Sequence, residues 1–152
     1  MSVRRVVATG TFDILHPGHL YYLTESKKLG DELWVIVARD ANVRHKPRPI
    51  IPEEHRLQMV AALKPVDHAI LGDKTDMFNP IKEIRPSVIT IGFNQHFDTI
   101  KLHQQLIERG MSPEIVRIGK YAEEDLCSSR FVVQRIIEVR GKEGLDAGIN
   151  KP

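Results

Sequence analysis

The stretch RVVATGTFDILHPGH at residues 5–19 passes from a short apolar run through a glycine to two histidines three residues apart, with a proline where helical spacing begins. Residues 5–9 predict a first strand. A helix over 17–29 follows, because Pro17 suits the first helical position and Leu20, Leu23 and Ser26/Lys27 recur at turn spacing until Gly30–Asp31 end it. The next run, ELWVIVA at 32–38, is almost continuously apolar, as expected of a strand covered on both faces of a parallel sheet. Outward from there the alternation repeats. Further strands are expected at 66–71, 87–91 and 114–118, and helices at 53–63, opened by Pro52 with acids Glu53 and Glu54, at 79–84, opened by Pro80, at 98–109, capped by Gly110, and at 128–140 with Ser128 as N-cap. Residues 39–51 and 119–127 read as loops.

This order predicts an α/β fold, a Rossmann-like doubly wound five-stranded parallel sheet, in which ligands bind beyond the carboxyl ends of the strands at the topological switch point. Residues 1–140 form the single expected domain. Residues 141–152, with Gly141, Gly144 and Gly148 and no apolar face, are expected to be a frayed tail.

Length and composition narrow the class. A chain of 152 residues, 41% hydrophobic and 28% charged, suffices for one buried core. The net charge of +2 is too mild for a nucleic-acid backbone partner, and the 6% aromatic residues form no stacking stripe. A single cysteine, Cys127, and no signal-peptide apolar segment at the start predict the cytoplasm. No apolar run approaches the roughly 20 residues of a membrane span.

The chemistry is concentrated in residues 10–19. Gly10 stands at a strand end, His16 at the mouth of the following helix and His19 in its first turn, where backbone N–H groups and the helix dipole favour an anion. Gly18 leaves room for a phosphate. Two imidazoles there can donate to phosphoryl oxygens as charge develops. A zinc site would need a third ligand at suitable spacing, and His45, His55, His68, His96, His103 and Cys127 do not supply it. Neither G-x-G-x-x-G nor a P-loop occurs; Gly72–Asp73–Lys74–Thr75 lacks the earlier glycine.

GTFDILHPGH resembles the GTFD and HxGH signature of the cytidylyltransferase-like nucleotidyltransferases, and the resemblance extends to Arg140. Within that superfamily the chain is similar to the small glycerol-3-phosphate cytidylyltransferases and more closely to the archaeal-type FAD synthases, on the strength of HKPRPIIPEEHR at 45–56 and ALKPVDHAILG at 62–72. The resemblance implies a sheet of the HxGH nucleotidyltransferase type and a catalytic set of His16, His19 and Lys46. It implies nucleotide contacts from Gly10, Thr11, Phe12, Gly18, Gly92, Asn94, Ser128 and Ser129, with Asn94 standing where an acid is common. Acceptor contacts are expected from Asp13, Lys46, Arg56 and Tyr121. The second family signature, RTEGxST, is degraded to Gly119–Lys120–Tyr121–Ala122–Glu123–Glu124–Asp125–Leu126–Cys127–Ser128–Ser129, and Arg117, Lys120 or Arg130 stands in for its arginine.

The implied reaction joins ATP or CTP to a phosphate-bearing acceptor and releases pyrophosphate, with Mg²⁺ or another divalent cation on the triphosphate and no metal ligands from the protein. FMN is the acceptor the resemblance favours; glycerol 3-phosphate with CTP is the alternative, and a nucleotide sensor without turnover a third reading. A flavin needs a broad apolar slot, for which Phe12, Phe78, Phe93, Phe97, Tyr121 and Leu126 are candidate walls. Enzymes of this resemblance are often homodimers.

Overall fold

In the computed structural model of the chain, which describes residues 2–44, 47–121 and 126–143, the first strand lies at the centre of the sheet. β1 (Arg5–Gly10) pairs in parallel with β2 (Glu32–Val37) from Arg5 opposite Glu32 to Gly10 opposite Val37. On its other side it pairs with β4 (Val88–Ile91), Val6 opposite Val88 and Ala8 opposite Thr90. β3 (His68–Leu71) adds beyond β2, and β5 (Glu114–Arg117) beyond β4, giving the order β3-β2-β1-β4-β5 with every pairing parallel. The chain therefore builds outward from β1 to β3 and then returns to the opposite side of β1. That reversal places the switch point between β1 and β4.

The period-two alternation of the strands divides the core into two layers. Val6, Ala8, Leu33, Val35 and Val37 face Leu23 of α1 (Pro17–Lys27) and Val60 of α2 (Glu53–Ala61). Val7, Ile36, Ile89 and Ile91 face Phe78, Ile81 and Ile84 of α3 (Phe78–Ile84) and Leu102 and Leu106 of α4 (Thr99–Glu108). α4 starts at Asp98, whose carboxylate caps Ile100 N and Lys101 N at 3.1 Å. It ends before Gly110 at φ +76°, a left-handed position that favours glycine.

Three expectations are corrected. The loop expected at 39–51 contains a 3₁₀ turn at Asp40–Asn42. The last helix, α5 (Ser129–Glu143), continues through Gly141 where a tail was expected, since helical hydrogen bonding needs no apolar face; residues 144–152 lie outside the described residues. Phe78 is no slot wall: it is 4% exposed in the layer packed against α3 and α4, with the Arg109 guanidinium 4.0 Å from its ring centre. Among the described residues no helix is long and apolar enough to cross a membrane.

Candidate active site

Beyond Gly10 the backbone doubles back over the end of β1. Phe12 at φ +57° and Ile14 at φ +49° adopt the left-handed conformation, uncommon for such side chains and seen where surrounding packing enforces it. The Phe12 ring is buried and lies over Gly10, where an added Cβ would stand 2.8 Å from it. The same ring touches His19 at 5.4 Å between centroids and Tyr22 at 6.4 Å. Phe12 is thus the floor of the loop, with little surface left to offer a ligand.

His16 is the residue before the first helical turn, extended at φ −144° and ψ 169°, and its Nδ1 accepts from Gly18 N at 3.1 Å. An Nδ1 that accepts leaves the proton of the neutral ring on Nε2, so His16 is set up as an Nε2–H donor. Burial holds its pKa below the usual 6.5. His19, one turn on, stacks on His16 with centroids 3.8 Å apart and planes 25° from parallel. Gly18 is needed for a second reason: a Cβ there would stand 2.7 Å from the Cys127 carbonyl oxygen, where the chain entering α5 crosses the mouth of α1.

Asp13 and Arg56, both expected to meet the acceptor, are directed at backbone. The Asp13 carboxylate accepts from Ile50 N at 2.8 Å and Ile51 N at 2.9 Å, and its carbonyl accepts from Ser129 Oγ. The Ser129 hydroxyl proton is therefore directed away from a phosphate. Ser128 holds the N-cap position of α5, its carbonyl accepting from Val132 N. Arg56 is only 1% exposed. Its guanidinium donates to the carbonyls of Ile51, Thr11 and Ala38 at 2.6–2.8 Å and to Asp40 Oδ1 at 2.6 Å. It ties three site loops together from beneath, and any effect on the acceptor runs through those loops.

On the other side of β1, Tyr22 Oη donates to the carbonyls of Thr9 at 3.2 Å and Thr90 at 3.0 Å, spanning the switch point. Burial pushes its phenol up to about 12. Ser26 Oγ lies 2.8 Å from Thr90 Oγ1 in the same buried polar knot. Above it, Gln95 closes the loop after β4: its Oε1 accepts from Gly92 N at 2.7 Å and its Nε2 donates to Thr9 O at 3.1 Å. A cavity of about 440 Å³ opens here, lined by Phe93, Asn94, Gln95, His96, Phe97, Asp98 and Arg117.

The structure thus gathers Gly10, Thr11, Phe12, Asp13, His16, Gly18, His19, Ser128 and Ser129 around the mouth of α1, and sets Gly92 and Asn94 across the switch point. Tyr121 instead meets Tyr21 of α1, ring centroids 5.2 Å apart. Of the expected slot walls, Phe93 and Leu126 are exposed, at 49% and 39%, and Phe97 packs partly on the core layer beneath α3 and α4. Lys46 lies outside the described residues, as do residues 122–125 of the second signature. Sequence reasoning missed the parts played by Gln95 and Arg117, whose partners are backbone atoms that no residue pattern marks. Among the described residues no group of three His, Cys, Asp or Glu side chains could hold a metal ion.

The profile of a family described as Cytidylyltransferase-like matches residues 7–135. The chain is 74% identical over 141 residues to a protein named FAD synthase from Methanoregula boonei, covering 93% of this chain and 95% of that one. It is 73% identical over 139 residues to a protein of the same name from Methanosphaerula palustris, covering 91% of each. Among solved structures it is similar to one titled lipopolysaccharide core biosynthesis protein from Thermoplasma volcanium, with a TM-score of 0.76 and 50% identity over 79% of this chain and 99% of that one.

Proposed function

The chain belongs to the cytidylyltransferase-like family, and from that premise we propose that it is an FAD synthase, a nucleotidyltransferase that moves AMP from ATP to FMN and releases pyrophosphate. A phosphate oxygen of FMN attacks the α-phosphorus in line. The bond from that phosphorus to the oxygen bridging to the β-phosphate breaks, and pyrophosphate leaves with the electron pair. FMN phosphate is already ionised at neutral pH, so no general base is required.

Catalysis then rests on alignment and on donors that meet the charge of the pentacoordinate phosphorus. The observation that carries this is the stacked pair at the mouth of α1, where His16 presents Nε2–H and the two imidazole centroids lie 3.8 Å apart. The positive end of the α1 dipole favours the same anion. Lys46 is proposed as a cation at the reacting phosphates, beside the two imidazoles. A divalent cation, Mg²⁺ in this reading, would accompany the triphosphate and neutralise part of its charge. The nucleoside occupies the side of the 92–97 cavity, and the phosphates run toward α1 and the start of α5.

The choice of FMN rests on the names of the relatives, since the histidine pair serves any phosphate acceptor alike. The test incubates the purified protein with Mg²⁺, ATP or CTP, and FMN or glycerol 3-phosphate, and identifies the nucleotide product. FAD from ATP and FMN is the expected outcome. CDP-glycerol would replace the acceptor assignment, and no product from any pair would leave a nucleotide-binding protein without turnover.

A further inference from the structure

Arg117 is the last residue of β5, opposite Ile91 of β4, and its side chain reaches back across the end of β4. Nη1 donates to the carbonyls of Gly92 and Gln95, both at 3.0 Å, and Nη2 donates to Phe97 O at 3.3 Å. Three acceptors in one loop thus converge on one planar fork, a geometry that a lysine point charge cannot reproduce. The Gln95 amide holds the same loop from the opposite side, bonding Gly92 N and Thr9 O. Between these two clamps the 92–97 backbone is fixed to the ends of β1 and β5, while the side chains of Phe93, Asn94 and His96 stand exposed at the rim of the cavity.

An arginine at this end of the sheet invites a phosphate role, and it was one of three candidates for the arginine missing from the second signature. Its hydrogen bonds point elsewhere.

We propose that Arg117 is a positioning residue for base selectivity: it touches no phosphate and acts through the 92–97 loop, whose fixed shape separates adenine from cytosine. This deepens the nucleotidyltransferase reading and rests on it for the identity of the cavity. Both bases carry an exocyclic amino group and ring nitrogens, so a loop free to slide would follow either one. Only a backbone held at several points keeps its polar atoms where one base meets them and the other does not. Pocket shape of this kind discriminates by about 10–200-fold.

The test measures equilibrium binding of Mg·ATP and Mg·CTP to the full chain and to Arg117→Ala and Arg117→Lys, with the turnover of each at saturating ATP. The wild type is expected to prefer ATP. Arg117→Ala should lower the ratio of the two Kd values by about tenfold, with turnover at saturating ATP changed less than affinity, and Arg117→Lys should follow Arg117→Ala because it cannot fork. A simple loss of stability would weaken both nucleotides together and leave the ratio alone. A phosphate contact would do the same, and lysine would then rescue it; either result overturns the proposal, as does a wild type without preference. If Arg117→Ala fails to fold, the lysine variant decides alone. A wild type that prefers ATP yet makes no FAD would overturn the FAD synthase reading and leave this one standing.

Discussion

The imidazoles of His16 and His19 lie face to face, 3.8 Å between centroids and 25° from parallel, with His16 Nδ1 held by Gly18 N. A proton added to His16 must enter a half-buried ring and displace the Gly18 hydrogen bond. Burial depresses its folded pKa below 6.5, so between that pKa and 6.5 the folded chain binds fewer protons than the unfolded one. Stability from this group is therefore complete above pH 6.5 and declines as pH falls below it. Turnover should be flat above pH 6.5 as far as His16 is concerned and fall on the acid side. Titration of the His16 ring protons by NMR checks this; a midpoint above 6.5 refutes it.

His16→Ala and His19→Ala should each lower turnover by about 10²–10³, by analogy with removal of one transition-state donor, while the Kd for ATP changes little. Lys46→Ala should act in the same direction. Single-turnover kinetics at saturating substrates separates the two effects, and a variant that folds normally with near-normal turnover has no catalytic role.

Arg56→Leu strips partners from three carbonyls and from Asp40 at once. The expected cost is about 3 kcal/mol or more of stability, the range for breaking a buried charged network. Asp40, whose side chain is nearly half exposed, should matter less, with Asp40→Asn costing about 1 kcal/mol or below. Urea unfolding measures both. A large rise in the KM for FMN at unchanged stability would return Arg56 to direct acceptor contact.

Gly18→Ala places a methyl 2.7 Å from the Cys127 carbonyl. Either the chain entering α5 lifts from the mouth of α1 or the first turn of α1 shifts, and overpacking of this kind costs about 1–3 kcal/mol. Weaker ATP binding together with a lower Tm is the expected pair of changes, read by calorimetry and thermal melting. Unchanged ATP affinity would show that the crossing does not shape the phosphate site.

Much of this fold is local enough to read along the chain. β1, α1 and β2 fall within two residues of their expected ends because each is written in a continuous apolar run or turn-spaced pattern closed by Pro17 or Gly30. The histidine pair is equally local, two residues on one helical turn. What the pattern hides depends on distance along the chain. Arg56 bonds a carbonyl 45 residues away, Asp13 bonds amides 37 and 38 residues on, and Ser129 reaches back 116 residues to Asp13. Nothing near Arg56 distinguishes a buried guanidinium from a surface ion pair; only the return of Thr11 and Ala38 to its side does. Phe78 is hidden for the same reason, since what buries it is packing with Leu102 and Leu106 of α4 and the Arg109 guanidinium, all more than 20 residues on.

Thr9 and Gln95 are joined across 86 residues, and Arg117 closes the same loop from later still. A chain growing from its N-terminus therefore presents GTFDILHPGH almost at once, long before the far wall of the cleft is synthesised. β1 can pair with β2 early, yet β4 must dock against β1 before Gln95 has a carbonyl to bind. Nascent chains stalled before residue 92 should retain no ATP on a filter. The topology displays the signature first and completes the cleft last, so the half-made chain should draw nothing from the nucleotide pool.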